Sequence, residues 1–351
     1  MRVAGVPYPL PPMEALTSDE MPAPVKDTAW QYEPKWDGFR CIAFRDGGRV
    51  LLQSKSGQPL ERYFPEVVER LLAIGASRFV LDGELVVPVG RALSFDDLLQ
   101  RIHPAESRIR HLATERPAWL VVFDLLAEGD RVWIDQPLEA RRGALEAFMA
   151  TRGAAGEGLL LSPASTDIKV AHKWLAAPAG ALDGVIAKRL GIRYMSGDRK
   201  GMIKVKRRRT ADCVVGGFRY GSKTSIVGSL LLGLYDGAGL LHHVGFTSSL
   251  SAAERKALTP KVEQLRGGAG FTGRAPGGPS RWSTERSGEW VPLNPALVVE
   301  VSYDHFSQGR FRHGTRLLRW RPDKAPKQCT MDQVQPAKRG ASLFAQLVAG
   351  G

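Results

Sequence analysis

The texture of the chain changes near residue 211, and this limits the possible architecture more than any other feature. Beyond it, strand and turn signals crowd together over residues 213–220, 228–235 and 240–246. A helical stretch at about 252–265 and a Gly/Pro-rich loop at 267–280 follow, then strands near 297–303 and 317–321. Short strands with a single helix predict a small β-barrel of OB type. Before the change, residues 1–27 are Pro-rich and extended, and a strand runs into Lys35. Asp46-Gly47-Gly48 sits between strand-like runs at 39–45 and 49–54, a hairpin signal. Val67, Val68, Leu71 and Leu72 form a helical stripe within 65–74. An apolar run at 79–88 reads as broken by Asp82-Gly83-Glu84. Ser94 caps a helix through Ile102, a buried strand spans 118–126, a helix spans 138–149, and short strands lie at 182–188 and 202–205. The prediction is α+β: a first domain of antiparallel sheets with flanking helices over 1–210, and a barrel domain over 211–351.

At 351 residues the chain can bury a core in each domain. A formal net charge of +13 and a pI near 9.9 point to a polyanionic partner, nucleic acid first. An Arg-rich proteome would give the same bias, so charge alone leaves both readings open. Cys41, Cys213 and Cys329 are far apart and form no CxxC or Cys/His cluster, which argues against a zinc site or a disulfide framework and fits a reducing compartment. Prolines interrupt the N-terminal stretch, which excludes a secretory signal, and no run approaches the ~20 apolar residues of a membrane span. A cytoplasmic, nucleoid-associated monomer is expected.

The chemistry concentrates in Lys35-Trp36-Asp37-Gly38-Phe39-Arg40. A lysine amine at a strand-to-turn junction can act as a nucleophile if desolvation or nearby cations remove its proton. Leu81-Asp82-Gly83-Glu84 and Leu182-Asp183-Gly184 each place a carboxylate beside an apolar run, and Lys188 follows the second. Lys204 and Lys206 share one face of a strand, because side chains repeat with period two. Two carboxylates and several lysines could bind a divalent metal and phosphate oxygens together, and the lysines are expected to depress the Lys35 pKa by like-charge repulsion. Taken singly, each element is an ordinary turn or a solvated face; their joint order is what carries the reading. Residues 216–224 nearly spell a P-loop, but strand-like residues follow where a helix is required, so a hairpin is expected. Residues 268–273 spell GxGxxG after a helix and before prolines, which reads as a loop. His242 and His243 read as strand residues, with no third metal ligand near in sequence.

Over about residues 28–325 the chain resembles the covalent nucleotidyltransferases, and within them the ATP-dependent DNA ligases of the small stand-alone bacterial C type. Residues 35–40 match the KxDGxR motif, whose lysine takes AMP, and Arg40 is its arginine. The resemblance makes Glu33 the adenine reader, Phe123 the aromatic that stacks on adenine, and Glu84 a ribose or metal contact. Lys55, in Ser54-Lys55-Ser56-Gly57, stands where the family usually has arginine; lysine lacks the bidentate fork. Asp183 stands where glutamate is usual and is one methylene shorter. Arg199, Lys204 and Lys206 match phosphate-contacting positions, with Lys188 adding charge. Arg321-Pro322-Asp323-Lys324 matches the RxDK motif, whose Arg321 and Lys324 orient the leaving pyrophosphate.

The resemblance implies three in-line displacements at phosphorus. Lys35 attacks the α-phosphate of ATP, AMP passes to a DNA 5′-phosphate, and a 3′-hydroxyl then displaces AMP. Mg²⁺ or Mn²⁺ near Glu84 and Asp183 would neutralise phosphate charge. A hinge near 207–212 would let the second domain close for the first step and open for DNA. Residues 199–209 hold seven Lys/Arg in eleven and no acid, so Arg207, Arg208 and Arg209, with Arg310 and Arg312 further on, are the expected backbone contacts to nicked double-stranded DNA. With the lysine motif so near the first residue, no separate N-terminal DNA-binding domain is expected. Base-excision or end-joining repair is implied, with Ku or a repair polymerase as partner. The competing readings are an RNA ligase or GTP-using capping enzyme and, from another class, a non-catalytic OB-fold nucleic-acid binder; retention of Lys35, Glu84, Asp183, Lys204 and Lys206 weighs against the last.

Overall fold

The computed structural model describes residues 2–90, 92–153, 158–176, 182–207, 209–277, 289–335 and 343–350. The chain divides into two compact units, Met1–Arg207 with Ala337–Gly351, and Arg208–Pro336. The crossover lies close to the expected boundary. The C-terminal segment, expected in the second domain, belongs instead to the first unit.

Leaving aside the two small two-stranded ribbons, 2–3 with 6–7 and 88–89 with 92–93, the first unit runs β1 (Leu16–Ser18), β2 (Trp30–Lys35), β3 (Phe39–Asp46), β4 (Arg49–Ser54), α1 (Pro65–Ala73), β5 (Arg78–Val86), α2 (Phe95–Gln100), α3 (Glu106–Glu115), β6 (Trp119–Glu128), β7 (Arg131–Val132), α4 (Leu138–Phe148), β8 (Leu159–Leu161), α5 (Ile168–Ala176), β9 (Gly184–Arg189) and β10 (Met202–Lys206). One sheet has the order β7-β6-β5-β3-β4, with β8 parallel to β6; the other has the order β1-β10-β9-β2. Ser94 caps α2 as expected, accepting from the Asp97 N–H. The strand over Asp82-Gly83-Glu84 is not broken: β5 runs straight through, because a Cβ on Gly83 would lie 2.7 Å from the Val121 carbonyl oxygen and only glycine allows β6 so close.

One face of the larger sheet is apolar. Cys41, Ala43, Leu52, Leu81, Leu85 and Val122 pack there with Val67 and Leu71 of α1 and Leu145 and Phe148 of α4. In the smaller sheet, Tyr32, Val185, Ala187 and Ile203 pack on Ile168, Ala171 and Leu175 of α5. Alternation therefore leaves Glu33, Lys35, Ile186, Lys188, Lys204 and Lys206 for its opposite face. Helix α7 (Leu343–Gly350) seats Phe344 against Trp36 and Trp119, at ring-centroid distances of 6.4 and 5.4 Å, which is why the tail groups with the first unit.

The second unit contains β11 (Arg209–Tyr220), β12 (Val227–Tyr235), β13 (Leu241–Thr247), α6 (Ala252–Glu263), β14 (Val291–Pro292), β15 (Val298–Tyr303) and β16 (Arg316–Trp320). Their order is β13-β12-β11-β15-β16, antiparallel throughout, with β14 also on β11. The edge strands meet at one bridge, Thr247 to Thr315, so the sheet curls around a core that includes Val214, Phe218, Leu231, Leu258 and Val299. This is the OB-type unit the sequence predicts. Ser251 and Glu254 cap α6 reciprocally. The P-loop look-alike is a strand followed by a turn closed by Gly221 N–H to the Ile226 carbonyl, and Gly268–Gly273 carries no helix.

Candidate active site

A cleft of about 900 Å³ in the first unit is lined by Glu33, Lys35, Trp36, Arg40, Lys55, Glu84, Phe123, Ile186, Lys188, Lys204 and Lys206, among others. Two rows across the smaller sheet order its floor. Lys35, Gly184 and Lys206 are in register, and so are Glu33, Ile186 and Lys204. Both Asp-Gly pairs owe their glycine to contact. A Cβ on Gly38 would lie 2.1 Å from the Leu85 carbonyl oxygen, and one on Gly184 the same distance from that of Val205. Close approach of two strands, rather than turn formation alone, therefore fixes Lys35 and Asp183 where they are.

The Lys35 amine lies 2.6 Å from Asp183 Oδ2, and Lys206 reaches the same oxygen at 3.5 Å. This reverses the expected pKa shift. Burial lowers the Lys35 pKa, but the carboxylates of Asp183, Glu84 and Asp37 outweigh it, and the amine is held above its ordinary value as an ammonium. Lysine neighbours alone would have depressed it; the acid that pairs with it lies far away in sequence. Burial pushes the Glu84 carboxyl up to about 7, with Lys35 and Arg40 opposing. Lys204 has no carboxylate in ion-pair distance among the described residues, and its pKa is lowered by burial and then by Lys35, Lys55 and Lys206.

Of the other predicted nucleotide contacts, Glu33, Arg40, Lys55, Phe123 and Lys188 line the cleft with partners already in place. Glu33 accepts from Gln31 Nε2 at 2.7 Å and pairs with Lys188 at 2.8 Å. Lys188 also donates to the Phe123 carbonyl at 3.2 Å and lies 4.6 Å from that ring's centroid, as does the Arg40 guanidinium. Phe123 is the extra residue of a β-bulge between Val122 and Asp124, and a bulge of this kind re-aims a side chain. Arg40 makes a two-pronged bond to buried Asp82, at 2.6 Å on each oxygen, and Asp82 also accepts from the Tyr194 hydroxyl. Arg40 thus braces the cleft wall through a pair that its motif did not reveal. Lys55 and Arg199 both pair with Glu14, at 2.9 and 3.3 Å; Lys55 lines the cleft, and the Arg199 side chain is exposed. Nothing local in the sequence marks Glu14 or Asp82 for these roles, since both partners are distant in the chain.

In the second unit Arg321 and Lys324 come together on Asp212, at 2.8 and 2.6 Å. Arg209 donates to the Asp304 carbonyl at 3.1 Å, and Arg310 lies in a two-residue strand. The Arg312 N–H bonds the His305 carbonyl, and in the first unit the Arg207 N–H bonds that of Asp183. Arg208 lies outside the described residues. His242 bonds Asp236 at 2.8 Å, while burial and then Arg310 and Arg219 pull buried His243 down to about 3, so it stays neutral. No cluster of three or more His, Cys, Asp or Glu suited to a metal occurs among the described residues. Of the carboxylates that act on Lys35, Glu84 and Asp183 are the pair that would suit a cation completed by nucleotide phosphates and water. No helix among the described residues is long and apolar enough to cross a membrane.

A lysine-lined cleft in the first unit, followed by an OB-type unit, is the architecture of the covalent nucleotidyltransferases. Residues 12–206 match the ATP dependent DNA ligase domain, and residues 223–324 match the ATP dependent DNA ligase C terminal region. DNA ligase C2 of Mycolicibacterium smegmatis is 42% identical over 353 residues, 95% of this chain and 97% of that one. The multifunctional non-homologous end joining DNA repair protein LigD of Mycobacterium tuberculosis is 29% identical over 315 residues, 87% of this chain and 38% of that one. A solved Lig E DNA ligase shares the fold, with a TM-score of 0.53 at 16% identity, covering 88% of this chain and 99% of that one. The chain belongs to the ATP-dependent DNA ligases.

Proposed function

We propose that this ligase seals 5′-phosphate/3′-hydroxyl nicks in double-stranded DNA through a lysyl-AMP formed on Lys35. The observation that carries this reading is the Lys35 amine at the cleft, with Lys204 and Lys206 beside it and Glu33 and Phe123 in the same cavity. In step one the neutral amine attacks the α-phosphorus of ATP. A P–N bond forms, the bond from the α-phosphorus to the oxygen bridging to the β-phosphate breaks, pyrophosphate leaves, and the nitrogen gives up a proton to solvent. In step two a DNA 5′-phosphate oxygen takes the AMP as the P–N bond breaks and the lysine nitrogen takes a proton back. In step three the 3′-hydroxyl attacks that phosphate, giving up its proton, and AMP leaves.

The Lys35 ammonium must lose its proton before the first step. Glu84 and Asp183 would hold Mg²⁺ or Mn²⁺, which when bound would supply neutralisation of phosphate charge. Burial and the neighbouring Lys204 and Lys206 favour the neutral amine once the Asp183 carboxylate turns away from it. Lys204, without an acid partner among the described residues, is the natural receptor for the α-phosphate; Lys206 joins it when Asp183 moves. Glu33 reads adenine by exchanging its Gln31 and Lys188 bonds, and Phe123 supplies the stacking ring. Lys55 and Arg199, released from Glu14, extend the phosphate contacts. Arg321 and Lys324 act in step one on the leaving pyrophosphate.

Arg207, Arg209, Arg310 and Arg312, with Arg208, are the proposed contacts to the DNA backbone, so affinity should fall steeply with salt. A role in repair is supported by the similarity to the non-homologous end joining DNA repair protein LigD; an end-binding protein such as Ku or a repair polymerase, at the nucleoid, is the partner proposed with it. The test is ATP-driven sealing of a nicked DNA duplex beside the same nick in RNA. DNA sealing that disappears in Lys35→Ala is expected; sealing of RNA alone, or DNA sealing that survives in Lys35→Ala, overturns the reading.

A further inference from the structure

Arg321 and Lys324 have long side chains that, left to solvent, would sample many rotamers and present no fixed target to a polyphosphate. In this molecule they do not. One carboxylate takes both: Asp212 Oδ1 accepts from Arg321 Nη1 at 2.8 Å, and Asp212 Oδ2 accepts from Lys324 Nζ at 2.6 Å. The Asp212 side chain is only 12% exposed, so solvent screens this pairing little. Its backbone is pinned as well. Gln333 accepts from the Asp212 N–H at 3.0 Å and donates to the Asp212 carbonyl at 3.1 Å. Asp212 lies on β11, paired with Glu300 of β15, and so sits on the rigid sheet of the second unit rather than on the loop that carries the cations. Asp323 grips the opposite edge of the Arg321 guanidinium, but its side chain is 63% exposed.

We propose that Asp212 is a positioning residue for adenylation, setting the spacing and direction of Arg321 and Lys324 so that they meet the leaving pyrophosphate as a preformed pair. It touches no reacting atom and acts through the two cations. The inference rests on the step-one role proposed for them. Such preorganisation matters because an interaction that must first be assembled loses much of its value in the transition state.

The experiment measures two steps separately on the full chain: formation of enzyme-adenylate from ATP in a single turnover, and sealing of a nick whose 5′ end already carries AMP. Loss of one charge-assisted bond in Asp212→Asn should slow adenylation about tenfold. Sealing of the pre-adenylated nick should stay within about twofold, since pyrophosphate is absent from that step. Asp212→Glu, which keeps the charge, should recover part of the adenylation rate. Equal loss in both steps would mean a merely structural role and overturn the proposal. So would unchanged adenylation, and so would faster adenylation, which would make Asp212 a competing anion. Arg321→Ala and Lys324→Ala run alongside: if neither slows adenylation, the role given to the pair fails. If both do and Asp212→Asn does not, only the inference about Asp212 fails.

Discussion

The cations of the two units are held by different means. In the first unit they lie on the strands of the cleft or beside it, and most are paired with an acid: Lys35 and Lys206 with Asp183, Lys188 with Glu33, Lys55 and Arg199 with Glu14. In the second unit Arg321 and Lys324 share Asp212, fixed on a sheet strand, and Arg321 also pairs with exposed Asp323. If the proposed function holds, the first arrangement must be rearranged before ATP can use its cations, whereas the cations of the second unit are already gathered. The difference separates cations committed one by one to acids along the cleft from a pair assembled on one strand carboxylate.

Lys204 offers the hardest blow to this contrast. It is the cleft lysine with no acid to release among the described residues, so it should contribute from the start. Lys204→Ala is expected to slow adenylation on the order of a hundredfold, as loss of a preorganised cation at a developing charge does. It should also slow sealing of pre-adenylated nicks, since AMP occupies the same cleft in every step. If only adenylation suffered, Lys204 would behave like the second-unit pair and the contrast would collapse.

A smaller effect concerns Glu84. Burial raises its carboxyl to about 7, and the ionised form is the one that can hold a cation. Adenylation kcat/KM should therefore rise as pH rises through about 7. The raised Lys35 pKa acts in the same direction, since the amine must lose a proton to react. Glu84→Gln should lower the rate about tenfold and remove the Glu84 limb, leaving the Lys35 limb at higher pH. A pH profile unchanged in that variant would exclude Glu84 from the titration.

What could be read from the sequence was whatever is local. The Lys35 motif, the alternation of Lys204 and Lys206, the hairpin at Gly47 and the cap at Ser94 each depend on residues a few positions apart, and each was foreseen in place. The long-range pairings were not. The lowered pKa expected for Lys35 failed because Asp183 reaches it only through strand register. Arg40 was assigned to the nucleotide, yet buried Asp82 holds it, an acid passed over beside Glu84. Phe123 does line the cleft, but the bulge that turns it there is a property of the strand pair. Helices α3 and α5 went unpredicted, and the tail was assigned to the wrong unit because Phe344 packs on Trp36 and Trp119, a contact with no local signature.

Intact-mass measurement of the protein after incubation with ATP and a divalent cation tests the central claim most directly. One added AMP, mapped by peptide fragmentation to Lys35, released by pyrophosphate and absent in Lys35→Ala, is the predicted result. AMP on another residue, or AMP that persists in Lys35→Ala, would contradict it.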